Sequence, residues 1–87
     1  DVANLGKITL QINPNPASEN VSLAFSKAIS LNELKIINTQ GEILKMINYS
    51  GNFTISENVY IGDLPAGYYL VRIKTDKEIL INSLVKF

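Results

Sequence analysis

The chain has no cysteine, no histidine and no tryptophan. Without cysteine there is no disulfide to staple a small fold and no thiolate to hold a metal. Without histidine, the usual general base, proton shuttle and nitrogen ligand are missing, so no serine in the chain has an imidazole to activate it. Neither sign of charge predominates: eight basic and eight acidic residues cancel at pH 7, which favours neither nucleic acid nor an anionic membrane surface as a partner. The five glycines never cluster, so there is no phosphate cradle. No apolar run is long enough for a transmembrane helix, and no signal peptide opens the chain. The carboxylates, from Glu19 to Glu78, stand mostly beside turns. Their spacing gives neither a calcium loop nor a catalytic pair with divided pKa values. No enzyme activity, cofactor or metal site is expected.

What remains is an apolar fraction of 46% in 87 residues. That length is one domain, which buries roughly 60–65% of its unfolded surface. Asp1 to Lys7 reads as the end of a linker, with no initiating Met, and residues 8–87 as a single domain. The chain is therefore expected to be a piece of a longer protein.

Strand signals and turn signals alternate along the domain. Ile8, Leu10 and Ile12 alternate with Thr9 and Gln11, a half-buried strand. Asn13-Pro14-Asn15-Pro16 breaks it, because each Asn precedes a proline and is pushed into extended backbone, while neither proline offers an amide to a neighbour. Ala17 to Asn20 supplies turn residues. Val21 to Phe25 and Glu33 to Asn38 are predicted strands, the second with Leu34 and Ile36 on one face. Ser26 to Asn38 also fits a helical period in part, but Ile36-Ile37 is β-branched and argues for strand. Gly41 is expected in the left-handed conformation of a short hairpin loop leading into Glu42 to Ile47. Asn48 to Asn52 reads as a further turn, followed by short strands at Phe53-Ile55 and Val59-Ile61. Tyr68 to Thr75, a hairpin at Thr75 to Glu78, and Ile79 to Phe87 complete the pattern, with Leu80, Asn82 and Leu84 on one face of the last strand. About seven strands at regular spacing predict an all-β, Ig-like antiparallel β-sandwich with Greek-key connections.

Leu64-Pro65-Ala66-Gly67-Tyr68-Tyr69 carries the most local information. Pro65 presets φ for the first corner of a turn, and Gly67 supplies the positive φ that closes it. Tyr69 then matches a tyrosine corner, whose phenol bonds back to upstream backbone. Tyr49, Tyr60 and Tyr68, with Phe25 and Phe53, would line a sugar-binding face if they came together, and the place of Tyr68 on the face opposite Tyr69 leaves its packing or exposure open. The sequons Asn20-Val21-Ser22, Asn48-Tyr49-Ser50 and Asn52-Phe53-Thr54 matter only in a eukaryotic secretory pathway.

Asn13-Pro14-Asn15-Pro16-Ala17-Ser18, the Leu64 to Ile73 segment, and Ser83-Leu84-Val85-Lys86-Phe87 occur in that order at domain-length spacing. Together they resemble the type A C-terminal sorting domain of the type IX (Por) secretion system of Bacteroidetes, over residues 8 to 87. Asn38 to Ile43 occupies the position of the family's central hairpin, with Glu42 where Lys is common. The chain ends on Phe87 rather than on a basic residue, and Thr75 to Glu78 lacks the glycine often seen there.

The resemblance implies a transport role. Such a domain directs a larger cargo across the outer membrane, passing through the periplasm to the cell surface or the medium. It is read by the outer-membrane translocon and then removed by a surface protease of sortase type, here in or before Asp1 to Lys7. Carried onto this sequence, recognition would fall to Pro14, Asn15, Pro16, Gly67, Tyr69, Val85 and Lys86, with the last strand a possible edge for pairing with a partner. On that view, loss of Ser83 to Phe87 should harm export more than folding. The rival expectation is a passive Ig-like or fibronectin-like spacer, or a carbohydrate-binding module of an extracellular protein.

Overall fold

Apolar residues alternate along Val21-Ser22-Leu23-Ala24-Phe25 and resume at Ile29 and Leu31, then at Leu34 and Ile36, and one long strand joins them. A computed structural model describes residues 8–14 and 19–87, and in chain order its strands are β1 (Leu10–Asn13), β2 (Asn20–Asn38), β3 (Ile43–Tyr60), β4 (Gly67–Thr75) and β5 (Ile79–Lys86). All pairings are antiparallel. The protein is thus all-β with five strands among the described residues, not seven. The predicted strands at Val21–Phe25 and Glu33–Asn38 are parts of β2, and the helical alternative for Ser26 to Asn38 is excluded by the same strand. Those at Glu42–Ile47, Phe53–Ile55 and Val59–Ile61 fall within or at the ends of β3.

The physical reason is that β2 and β3 stay paired through their irregularities. The register slips between Ala24 and Ile29, between Leu31 and Glu33, and between Ile36 and Ile37. Asn48 to Asn52, which reads locally as a chain reversal, is a bulge: Asn48 pairs with Glu33 and Asn52 with Leu31. Gly51 takes φ +77° there, and the Ser30 hydroxyl donates to its carbonyl oxygen at 3.0 Å. The slip lets Leu31 and Leu34, three residues apart, both face inward.

β3 occupies one edge of β2 along nearly its whole length, so β1 and β4 follow one another along the other edge. β1 covers the first part of β2 (Leu10 opposite Phe25, Asn13 opposite Ser22), and β4 the last part (Leu31 opposite Thr75, Asn38 opposite Tyr69). β5 pairs with β4 and lies against β1. The Asn82 side-chain amide donates to the Leu10 carbonyl at 2.8 Å, tying β5 to β1. Ile8 shares a hollow with Glu78 and Ile79, so β1 runs beside β5 in the same direction.

Buried residues from all five strands form one cluster, including Leu10, Leu23, Leu34, Val59, Val71 and Leu84. Burying a Leu or Ile side chain contributes about 1.5–3 kcal/mol, and this single cluster is what holds a chain without disulfides together.

Candidate recognition site

The Leu64 segment keeps the positive φ of Gly67 and the corner of Tyr69 that the sequence predicts, but the hydrogen-bonded turn lies one step earlier and ends before Pro65. A turn at Ile61 to Leu64 is closed by the Leu64 amide donating to the Ile61 carbonyl at 3.0 Å. Gly67 opens β4 at φ +153°, a conformation unfavourable for residues with a Cβ. Tyr69 is buried, and its phenol donates to the Pro65 carbonyl oxygen, the bond of a tyrosine corner. Pro65 and Gly67 set the backbone path, and Tyr69 fastens it to the start of β4.

Cross-strand register then assembles residues that are distant in sequence. Gly67 pairs with Lys86, Tyr68 with Val85, and Tyr69 with Leu84. Four of the seven sequence-predicted site residues, Gly67, Tyr69, Val85 and Lys86, therefore meet at one end of the β4–β5 pair. They differ in exposure: Tyr69 faces the core, while Val85 and Lys86 are half-buried. Pro14 follows β1 through a cis Asn13–Pro14 peptide bond, and the direction of β1 beside β5 carries the chain toward the end that holds Lys86. Asn15, Pro16 and the turn residues Ala17 and Ser18 lie outside the described residues, as do Asp1 to Lys7.

One residue to which sequence reasoning assigned no recognition role adjoins this end. Tyr68 is 69% exposed beside the buried Tyr69, and with Ile37, Leu70 and Ser83 it lines a groove of about 440 Å³ on the outer face. Strand alternation was the available signal, because a tyrosine adjacent to an inward-facing one must face outward.

The neighbouring hairpins are built from side chains. At Asn38 to Glu42 the Asn38 carboxamide oxygen accepts from the Gln40 and Glu42 amides, both at 2.9 Å, and Gly41 takes φ +86° as expected. At Thr75 to Glu78 no glycine is present because the buried Thr75 hydroxyl takes over: it accepts from the Lys77 and Glu78 amides and faces the Glu78 carbonyl at 3.0 Å. Both are local side-chain substitutes for special backbone.

Chemistry beyond recognition finds little support. Among the described residues no three His, Cys, Asp or Glu gather where a metal could sit. Lys45 donates to Asp63 at 3.0 Å, and this hydrogen bond holds the exposed Asp63 carboxyl below its usual range. Tyr49 packs against the core, and its phenol is pushed up to about 12 by burial, then by the charge and hydrogen bond of Glu57. The aromatics proposed for a sugar face are not brought together as one platform: Phe25 is in the core and Tyr49 packs on it, while Phe53 and Tyr60 are exposed. No helix among the described residues is long and apolar enough to cross a membrane.

An all-β module with motif residues gathered at one strand end fits a recognition or structural domain. The chain matches the family model described as the secretion system C-terminal sorting domain over residues 11–86 and belongs to that family. Its function is that of a type IX C-terminal sorting signal, which implies export to the cell surface or secretion, and the family is not one of enzymes. The spacer and carbohydrate-binding alternatives are not favoured. No curated protein matches the chain.

Proposed function

We propose that the paired end of β4 and β5 is the part of the signal that an outer-membrane component of the translocon reads. The observation that carries this is the register that sets Gly67 opposite Lys86 and Tyr68 opposite Val85, which gathers two of the three family motifs on one paired element. Pro14, Asn15 and Pro16 contribute from the β1 side, and Tyr69 acts from within by holding the turn. Residues 8–87 act as the domain. The cargo precedes it, crosses the periplasm with it, and is separated from it by a sortase-type protease in or before Asp1 to Lys7. The two halves of the bent β2–β3 ribbon, meeting in one core, serve as the layers of an Ig-like sandwich. A folded signal of this kind presents the same surface whatever cargo is attached.

The structure changes one expectation about the last strand. Leu84 is fully buried, so deleting Ser83 to Phe87 removes a core side chain as well as any signal, and truncation does not separate folding from recognition. Point substitutions on the outer side do.

The test is export of a reporter carrying a periplasmic signal peptide and residues 1–87 at its C-terminus, in a Bacteroidetes host with and without a working type IX translocon. Reporter at the surface or in the medium only with the translocon supports the proposal. Reporter retained in the periplasm of both strains, with the domain folded, overturns it.

A further inference from the structure

Residues directly opposite one another on paired strands project to the same side of the sheet. Val71, Ile73, Leu80 and Leu84 face the core, so their neighbours in sequence face outward. The outward side of β4 and β5, continued across the second half of β2 and the first half of β3, carries Ile43, Met46, Tyr68, Leu70, Ile79 and Ile81, each between 46% and 69% exposed. Single exposed apolar residues are ordinary, but six on one face, drawn from β3, β4 and β5, mark an interaction surface.

The charges on the same face say what would cover it. Glu33, Lys35, Arg72 and Lys74 alternate with the apolar positions, three cations to one carboxylate on a chain of zero net charge. Glu33 stands opposite Lys74, but Lys35 stands directly opposite Arg72. Like charges placed so are destabilising. Lys35 reaches Glu33 at 3.4 Å, whereas Arg72 has no carboxylate partner among the described residues. The row Met46, Lys35, Arg72, Ile81 therefore sets an opposed cation pair between two exposed apolar side chains.

We propose that this face docks a protein partner whose matching surface is apolar and places a carboxylate between Lys35 and Arg72. The proposal rests on the sorting-signal function and deepens it: the partner is the translocon component that reads the domain, and it reads the outward face of β4–β5 and not the strand's edge. The carboxylate resolves the repulsion that the free domain carries, so the opposed cations cost stability alone and contribute affinity in the complex.

The test separates stability from recognition. Arg72→Glu turns a repulsive cross-strand pair into an attractive one, so the purified 1–87 chain should melt at the same temperature or higher. The reporter bearing it should be exported about tenfold less or worse, as expected for reversing a charge in a protein interface. Ile81→Gln, which alters the apolar part alone, should also lower export without lowering the melting temperature. Lys77→Glu, in the β4–β5 turn, should leave export unchanged.

Normal export of both Arg72→Glu and Ile81→Gln would overturn the docking face while leaving the sorting function intact. Translocon-independent behaviour of the parent reporter would overturn both. Two further measurements on the purified chain exclude other occupants. Arg72-dependent binding to vesicles of phosphatidylcholine with phosphatidylglycerol would assign the face to an anionic lipid surface, and Arg72-dependent dimerisation in sedimentation would assign it to a second copy. Either result would overturn the proposal, and the absence of both supports it.

Discussion

The phenol of Tyr69 donates to the carbonyl oxygen of Pro65, four residues upstream, from a side chain that is itself buried. One bond thus joins the turn before β4 to the core beneath it. Replacing Tyr69 with Phe keeps the ring and removes the donor. The expected loss is about 1–2 kcal/mol, equivalent to roughly 4–16 °C in melting temperature for a domain of this size. Thermal denaturation followed by circular dichroism measures it, and an unchanged midpoint would show the hydroxyl to be dispensable.

Gly67 offers a test in which space and backbone are separable. A Cβ built there meets no atom within 4 Å, yet φ is +153°. Gly67→Ala should therefore destabilise by about 1–3 kcal/mol through backbone strain alone. Gly41, also with open space around it but at φ +86°, should accept Asn at smaller cost, because Asn tolerates left-handed backbone. Equal losses in the two variants by urea denaturation would contradict this account.

Thr75 replaces a glycine by chemistry. Its hydroxyl accepts from the Lys77 amide at 3.1 Å and the Glu78 amide at 2.9 Å. Thr75→Val keeps the shape and leaves those amides without their acceptor, at a cost of about 1–3 kcal/mol. Hydrogen exchange at Lys77 and Glu78 should accelerate beyond the global change in stability. If protection at both amides stays that of the parent, the hydroxyl is not what orders the turn.

Tyr49 links stability to alkaline pH. Its folded value of about 12 lies above the ordinary 10.0, so below pH 10 both folded and unfolded states keep the proton. Between the two values the unfolded chain releases it while the folded chain holds it, and stability falls as pH rises. Tyr49→Phe should flatten that fall in urea midpoints measured across the window. The parent's spectrophotometric titration should contain a tyrosine phase near pH 12 that the variant lacks. A parent in which every tyrosine titrates near pH 10 while folded would refute it.

How far the fold can be read from sequence depends on how local each determinant is. Gly41, Gly67, Tyr69 and the Thr75 hairpin were legible because their partners lie within four residues. The long strands were not. Asn48 to Asn52 has the composition of a chain reversal and of a bulge alike, and the choice between them lies with β2, whose Leu31 and Glu33 hold Asn52 and Asn48 in pairing. The two faces of β5 were legible from its alternation, but not that Leu80 and Leu84 rather than the equally apolar Ile79, Ile81 and Val85 would face the core, nor that Asn82 would reach Leu10. Motif order alone suggested which residues matter at the site. Register was needed to bring Gly67 to Lys86, and exposure to add Tyr68 and Arg72.

The bond from Asn82 to Leu10 spans 72 positions, and Leu84 completes the core two residues later. Both belong to β5, the last strand of the domain in chain order. A product that stops short of Leu84 has neither the closed core nor the strand that pairs with Gly67 to Lys74. On the proposed reading such a product carries no readable address. The fold therefore works as a seal that closes only with β5 in place, and transport becomes conditional on a completed domain.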